Sequence, residues 1–179
     1  QHLGINFELG LIRNHYVGRT FIEPSQKIRS LGVKLKLSST KTIVKNKSII
    51  LIDDSLVRGT TCHKIVKMLY ESGAKEVHVR IACPEIKYPD FYGVDMPTKG
   101  ELLAHGKDNQ EMCDYIKAKS LKFLSLDGLY KALINENRNS NYPQFSDHYF
   151  TGDYPIKPHD NLEGLKIKQL SLLSGKSNN

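Results

Sequence analysis

The sequence predicts an α/β fold in which a parallel sheet is flanked by helices, and three observations carry that expectation. Residues 48–52 form a continuous apolar run that stops abruptly at Asp53 and Asp54, the pattern of a central parallel strand buried on both faces. Ile65, Val66, Met68 and Leu69 then follow helical spacing up to a stop at Gly73. Val77, Val79, Ile81 and Ala82 restore a strand pattern. Strand, helix and strand over about thirty residues make a βαβ unit, whose right-handed crossover sets the two strands parallel.

The remaining elements follow in order. Residues 4–12, bracketed by Gly4 and Gly10, read as a short buried strand. The run RNHYVGRTFIEP at 13–24 has neither period and reads as a loop carrying the cations Arg13 and Arg19. A short helix is expected from Pro24 to Leu31, and the alternation at 33–37 predicts a half-buried strand with Lys34 and Lys36 on one face. Downstream, 98–105 and 109–118 pattern as helices, 121–124 as a strand and 126–134 as a helix. Beyond Asn135 the chain turns rich in Asn, Pro and aromatics, a tail expected to pack through Phe145, Tyr149, Phe150 and Tyr154.

Composition narrows the classes of function. The chain has 179 residues, 39% hydrophobic and 25% charged, and no apolar stretch long enough to span a bilayer. Its net charge of +7 is uneven: the first 52 residues hold nine Lys/Arg against two Asp/Glu, and the rest hold seventeen of each. Such a surplus suits nucleic acid, an anionic surface or a phosphorylated small ligand. Cys62, Cys83 and Cys113 have neither CxxC spacing nor a nearby His pair, so reduced thiols and a cytoplasmic setting are expected. No secretory leader is read at the start, which is Gln1.

Chemistry concentrates in IILIDDSLVRGTT, residues 49–61, where a buried strand meets a helix through a polar loop. Unpaired N–H groups at the helix start, with the hydroxyls of Ser55, Thr60 and Thr61, form an anion cradle, and Gly59 permits close backbone approach. Asp53 and Asp54 repel a phosphate but suit a vicinal diol or a magnesium ion. Cradle plus acids describes a phosphorylated pentose. Two acids after a strand would alone be an ordinary helix cap, but the full pattern is far more restrictive. A nucleotide-hydrolase reading fails, because Gly175-Lys-Ser177 has Leu170 where the first Gly of that loop belongs. His63, His78, His105 and His148 read as surface or helix-face residues without a catalytic role. Cys62, in the first helical turn, could be acidified there but reads better as a small packing residue.

This segment resembles the phosphoribosyl-diphosphate (PRPP) motif of type I phosphoribosyltransferases. With GLIRNHYVGRTFIEPSQKIR, ESGAKEVHVRIACPEI, FYGVDMP and ELLAHG, the chain is similar to the amidophosphoribosyltransferases from about Gly4 to Gly152. The resemblance implies a type I phosphoribosyltransferase-like sheet, N-terminally incomplete, with a partial domain at 1–135 and an irregular tail at 136–179. It implies displacement of pyrophosphate from PRPP by ammonia, the first step of purine synthesis. Asp53 and Asp54 would hold magnesium and the ribose hydroxyls, and Ser55, Val57, Arg58, Gly59, Thr60 and Thr61 the 5-phosphate. Arg13, Tyr16 and Arg19 would belong to a lid closing over the ligand, which would account for the basic surplus.

The departures set further expectations. Family members carry a Cys-led glutaminase domain and a D-S-G-T-P pyrophosphate loop ahead of this region; neither motif is present here, so weak or no turnover by this chain alone is expected. A separate glutaminase chain and a homo-oligomer stay open. Relatives with an iron-sulfur cluster have cysteines near the positions of Asp90 and 142–150, where this chain has none, so no cluster is expected. The alternative is a non-catalytic module binding nucleotides or RNA, against which the lysines at 34–47 lack interleaved aromatics.

Overall fold

A computed structural model describes residues 3–13, 37–94 and 98–156. Its centre is a three-stranded parallel sheet of β3 (Ser48–Asp53), β4 (Glu76–Ile81) and β5 (Ser120–Phe123), in that spatial order. The βαβ reading of the sequence is realised: β3 and β4 are joined through α2 (Thr60–Glu71) and pair in register from Ser48↔Glu76 to Asp53↔Ile81. Helix α2 ends at Ser72, followed by Gly73 at φ 95°, the left-handed residue its apolar pattern calls for. Helix α3 (Asn109–Ile116) opens on a capping box between Asp108 and Glu111 and leads into β5. Helix α4 (Leu126–Ile134) follows, with the Ser125 hydroxyl accepting from the Gly128 N–H.

Register sorts the sheet into two unlike faces. Ile49, Leu51, Val77, Val79, Ile81, Leu121 and Phe123 share one face, and all but the partly buried Ile49 and Phe123 are buried in one cluster with Ile65, Val66 and Leu69 of α2 and Met112 and Ile116 of α3. The opposite face carries Ser48, Glu76, His78, Arg80 and Ser120 in a polar chain, with Ser48 Oγ donating to Glu76 at 3.2 Å and Arg80 Nη1 to Ser120 Oγ at 3.0 Å. Ile50 and Ile52 lie on that face, 45% and 69% exposed. This corrects the expectation of a central strand buried on both faces: β3 is the edge of the described sheet, and the described helices cover one side of it.

Two other expectations are revised. Residues 3–9 are exposed rather than a buried strand, because only β1 (Leu11–Arg13) finds a partner, pairing antiparallel with β2 (Leu37–Ser39). A short helix, α1 (Lys41–Val44), connects β2 to the sheet and buries Val44. The helix expected at 98–105 shrinks to one 3-10 turn, Lys99–Glu101. Leu102, Leu103 and Ala104 are buried instead, and the Leu103 N–H is spent on the Val57 carbonyl at 2.8 Å, a tertiary bond that overrides helical continuation. The expected helix from Pro24 and the residues at 33–36 lie outside the described residues.

The segment after α4 docks through a polar core. Its helix α5 (His148–Thr151) places His148 and Asp147 in the interior. Arg138 bonds Asp147 and Asp153, and the Tyr130 hydroxyl donates to Asp147 at 2.8 Å. Tyr154 bonds the Pro89 carbonyl at 2.9 Å, and Phe145 packs its ring on Tyr130. Among the described residues no helix is long and apolar enough to cross a membrane.

Candidate functional site

The loop between β3 and α2 lies at the carboxyl end of a parallel strand, where open α/β sheets present ligand sites. Asp53 ends β3 on the helix-covered face and is half-buried. Burial, foremost, pushes its carboxyl above the usual range; the Asp54 N–H, 3.0 Å from Oδ1, pulls it back, and the Asp54 charge adds to the rise. Asp54 is exposed and accepts from Ser55 Oγ at 2.7 Å. Two adjacent carboxylates therefore stand at the loop entrance, bonded to their own neighbours in the chain.

The rest of the loop is gripped from one side. Leu56 is buried and its N–H meets the Cys83 sulfur. Val57 is half-buried and its carbonyl accepts from Leu103. Arg58 extends to Glu101, with Nε 3.2 Å from Oε1. Gly59 is buried at φ 73°, and a Cβ there would stand 2.6 Å from Leu103 Cδ2 and 3.0 Å from the Tyr115 ring. Glycine is thus favoured first by its left-handed backbone, and a Cβ would in addition force the end of the Leu103 side chain to shift.

Helix α2 begins immediately beyond. The His63 N–H donates to the Gly59 carbonyl at 2.9 Å, so the amides of Thr60, Thr61 and Cys62 precede the first intrahelical bond. The hydroxyl-bearing Thr60 and Thr61 are exposed beside them. Oriented amides, two hydroxyls and the positive end of a twelve-residue helix can receive an anion.

No protein-family model matches the chain. The amidophosphoribosyltransferase of Rhizobium etli is 54% identical to it over 175 residues, which cover 97% of this chain and 35% of that protein. The chain's curated relatives are amidophosphoribosyltransferases. It spans about a third of the length of the curated relatives it matches, in their C-terminal portion. Amidophosphoribosyltransferase 2, chloroplastic, of Arabidopsis thaliana is 53% identical over 155 residues, 87% of this chain and 27% of that protein. A solved structure of glutamine PRPP amidotransferase from B. subtilis, complexed with ADP and GMP, superposes with a TM-score of 0.75 at 46% identity, covering 89% of this chain and 35% of that one. The parallel sheet flanked by helices is accordingly the phosphoribosyltransferase-like fold of the amidotransferase structures.

Of the residues singled out in the sequence, Asp53, Asp54, Ser55, Val57, Arg58, Gly59, Thr60 and Thr61 come together in one loop and helix start. Arg13 ends β1, in register with Leu37, and Tyr16 and Arg19 lie outside the described residues. Among the described residues no group of three or more His, Cys, Asp or Glu is arranged to hold a metal. Glu101 and Leu103 were not anticipated as partners of the loop. The spacing Thr98-x-x-Glu101 is a capping box and was legible as a helix start, but nothing local announces that Glu101 also reaches Arg58. Cys62 is a packing residue, 3% exposed, and burial with the Asp53 charge pushes its thiol up to about 12.

Proposed function

We propose that this chain is the PRPP-binding part of an amidophosphoribosyltransferase. The observation that supports the reading best is the strand–loop–helix of residues 48–61, in which acids stand at the sheet end and oriented amides follow at the helix start. The 5-phosphate would lie against Ser55, Val57, Arg58, Gly59, Thr60 and Thr61. The ribose hydroxyls would bond Asp53 and Asp54, which as acceptors suit a diol better than a phosphate. The same two carboxylates fit magnesium, a cation that takes one or two carboxylates and completes its shell with water and phosphate oxygens. Bound there, magnesium supplies charge neutralisation to a pyrophosphate leaving group. Asp53 fits that role electrostatically, because a nearby cation offsets the burial and repulsion that raise its carboxyl.

In the proposed reaction the nitrogen of ammonia forms a bond to C1 of PRPP, the C1–oxygen bond to pyrophosphate breaks, and the nitrogen loses a proton to solvent. Arg13, Tyr16 and Arg19 are proposed to close over this site and exclude water. A pyrophosphate loop and a glutaminase would belong to the two-thirds of the relatives' length that the chain does not span, so transfer is proposed to be weak in isolation. The three free thiols accord with a reducing cytoplasmic setting.

Calorimetry with magnesium and PRPP tests the assignment. Binding is expected with the chain as it stands, and Asp53→Asn with Asp54→Asn should weaken it at least tenfold. Binding that survives both substitutions overturns the site. Steeply salt-dependent RNA affinity with none for PRPP would favour the non-catalytic alternative. Robust turnover with ammonia would refute the proposal that the missing segments matter.

A further inference from the structure

Three consecutive residues of the loop, Val57, Arg58 and Gly59, are each held by one short segment, residues 98–104. The Val57 carbonyl accepts from the Leu103 N–H at 2.8 Å, and Gly59 packs under the Leu103 side chain. Between them, Arg58 Nε donates to Glu101 Oε1. The second oxygen of Glu101 is itself fixed, accepting from the N–H and Oγ1 of Thr98, both at 3.1 Å. The carboxylate is therefore a rigid post: one oxygen is tied to its own turn and the other to the loop.

We propose that Glu101 is a positioning residue which, through Arg58, holds loop 55–60 in its anion-binding form. This rests on the reading of that loop as a sugar-phosphate site. Loop amides receive an anion well only when they converge before it arrives, since ordering them on binding would weaken affinity. Leu103 fixes the loop at Val57 and Gly59, and the Glu101 contact adds a third point at Arg58 between them. The guanidinium engaged by Glu101 acts as an anchor for its own backbone rather than as a counter-charge for the ligand. Both side chains are about half exposed, and exposed ion pairs add little to global stability, so the pair's contribution lies in local order.

Two readouts on the full chain test this separately from the phosphate reading. Titration with ribose 5-phosphate should be weakened about fivefold by Glu101→Ala and less by Glu101→Gln, whose single amide oxygen can accept from Arg58 or from the Thr98 N–H but not, as the carboxylate does, from both. In an Arg58→Met background, Glu101→Ala should have no further effect. Independently, amide order parameters of Val57 to Thr60, measured without ligand, should fall from the rigid range near 0.85 towards 0.6 in Glu101→Ala and by less in Glu101→Gln. Unchanged order parameters, or an equal loss in the Arg58→Met background, overturn the positioning role. If the order parameters respond as expected but the wild-type chain binds no ribose 5-phosphate, Glu101 positions the loop and the sugar-phosphate reading falls.

Discussion

Two sets of acidic residues in this molecule have inverted electrostatic settings. Asp53 and Asp54 adjoin one another at the end of β3, and burial with mutual repulsion raises the Asp53 carboxyl. Asp147 lies in the docked C-terminal segment beside Arg138, and Asp90, in the loop after β4, meets that segment through His148. Burial opposes the charge of Asp90, but the Val94 N–H, the His148 ring at 2.8 Å and the Tyr92 N–H hold its carboxyl below the usual range. Burial likewise opposes Asp147, and Arg138 and Tyr130 overcome it. A buried carboxylate given its own cation serves the fold. Among the described residues no cation is ion-paired with Asp53 or Asp54, the setting in which a perturbed carboxylate is a candidate for function rather than for the fold.

Breaking the satisfied pair should produce the largest effect. Arg138→Met leaves Asp147, whose side chain is 3% exposed, without its cation, and the expected cost is about 3 kcal/mol in urea unfolding. Binding of ribose 5-phosphate by the folded fraction should stay within twofold of wild type. Lost binding in that fraction would mean that the two regions are coupled, and the contrast between them would collapse.

Two glycines sharpen the same comparison. Gly59 at φ 73° abuts Leu103 and Tyr115, and Gly152 at φ 79° abuts the Tyr88 ring, where an added Cβ would stand 3.0 Å from two of its carbons. Alanine at either position meets both left-handed strain and a side-chain wall, for an expected loss of about 1–2 kcal/mol in thermal or urea unfolding. Only Gly59→Ala should also weaken sugar-phosphate binding. Equal effects of the two on affinity would show that the loop's shape does not matter to the ligand.

A smaller effect, with a definite sign, is expected from pH. Asp90 and Asp147, depressed from 3.8, contribute stability that is fully present above that value and is lost as pH falls through their lower folded pKa values. Asp53 is raised, so its penalty is absent below 3.8, builds as pH rises from 3.8 to its higher folded value and is fully present above that. Asp53→Asn should therefore stabilise the chain at neutral pH by up to about 1 kcal/mol, a gain that disappears in acid. Destabilisation at neutral pH would mean that the aspartate is a structural member of the fold like Asp147.

The sequence was legible where local pattern and tertiary environment agree. The apolar run of β3, the spacing of α2 and the stop at Gly73 all follow from residues within a few positions of one another, and α4 runs over residues 126–134 as its pattern predicts. Contacts from far along the chain were not legible. Leu102 and Leu103 pattern like a helix, yet are buried because the loop at Val57 and Gly59 needs them. His148, read as a surface or helix-face residue, opens a helix but is 1% exposed and bonded to Asp90, a partner 58 positions away that no local signal announces. Ile50 and Ile52 promised a strand covered on both sides, and apolar character alone does not say which neighbours are present. In the candidate site the acids and the glycine loop were readable as chemistry, whereas the segment that holds them in place was not.

The least perturbing test uses the thiols that flank the site. Cys62 lies one residue past Thr61 at the helix start, a position that can acidify a thiol, and Cys83 lies behind Leu56. Burial, and then the Asp53 charge, push Cys62 up to about 12; burial works the same way on Cys83, where the Leu56 N–H opposes it and the charges of Asp54 and Asp53 assist, leaving it at about 11. At pH 8 the thiolate fraction of Cys83 is then on the order of one in a thousand, and that of Cys62 about tenfold smaller, so alkylation of the native chain should be far slower than in urea. Adding magnesium should accelerate the residual reaction at both thiols, because a cation at Asp53 and Asp54 offsets the charge that holds the thiolates back. A rate indifferent to magnesium would count against a cation at those carboxylates, and so against the inversion between the two acidic pairs having a functional cause.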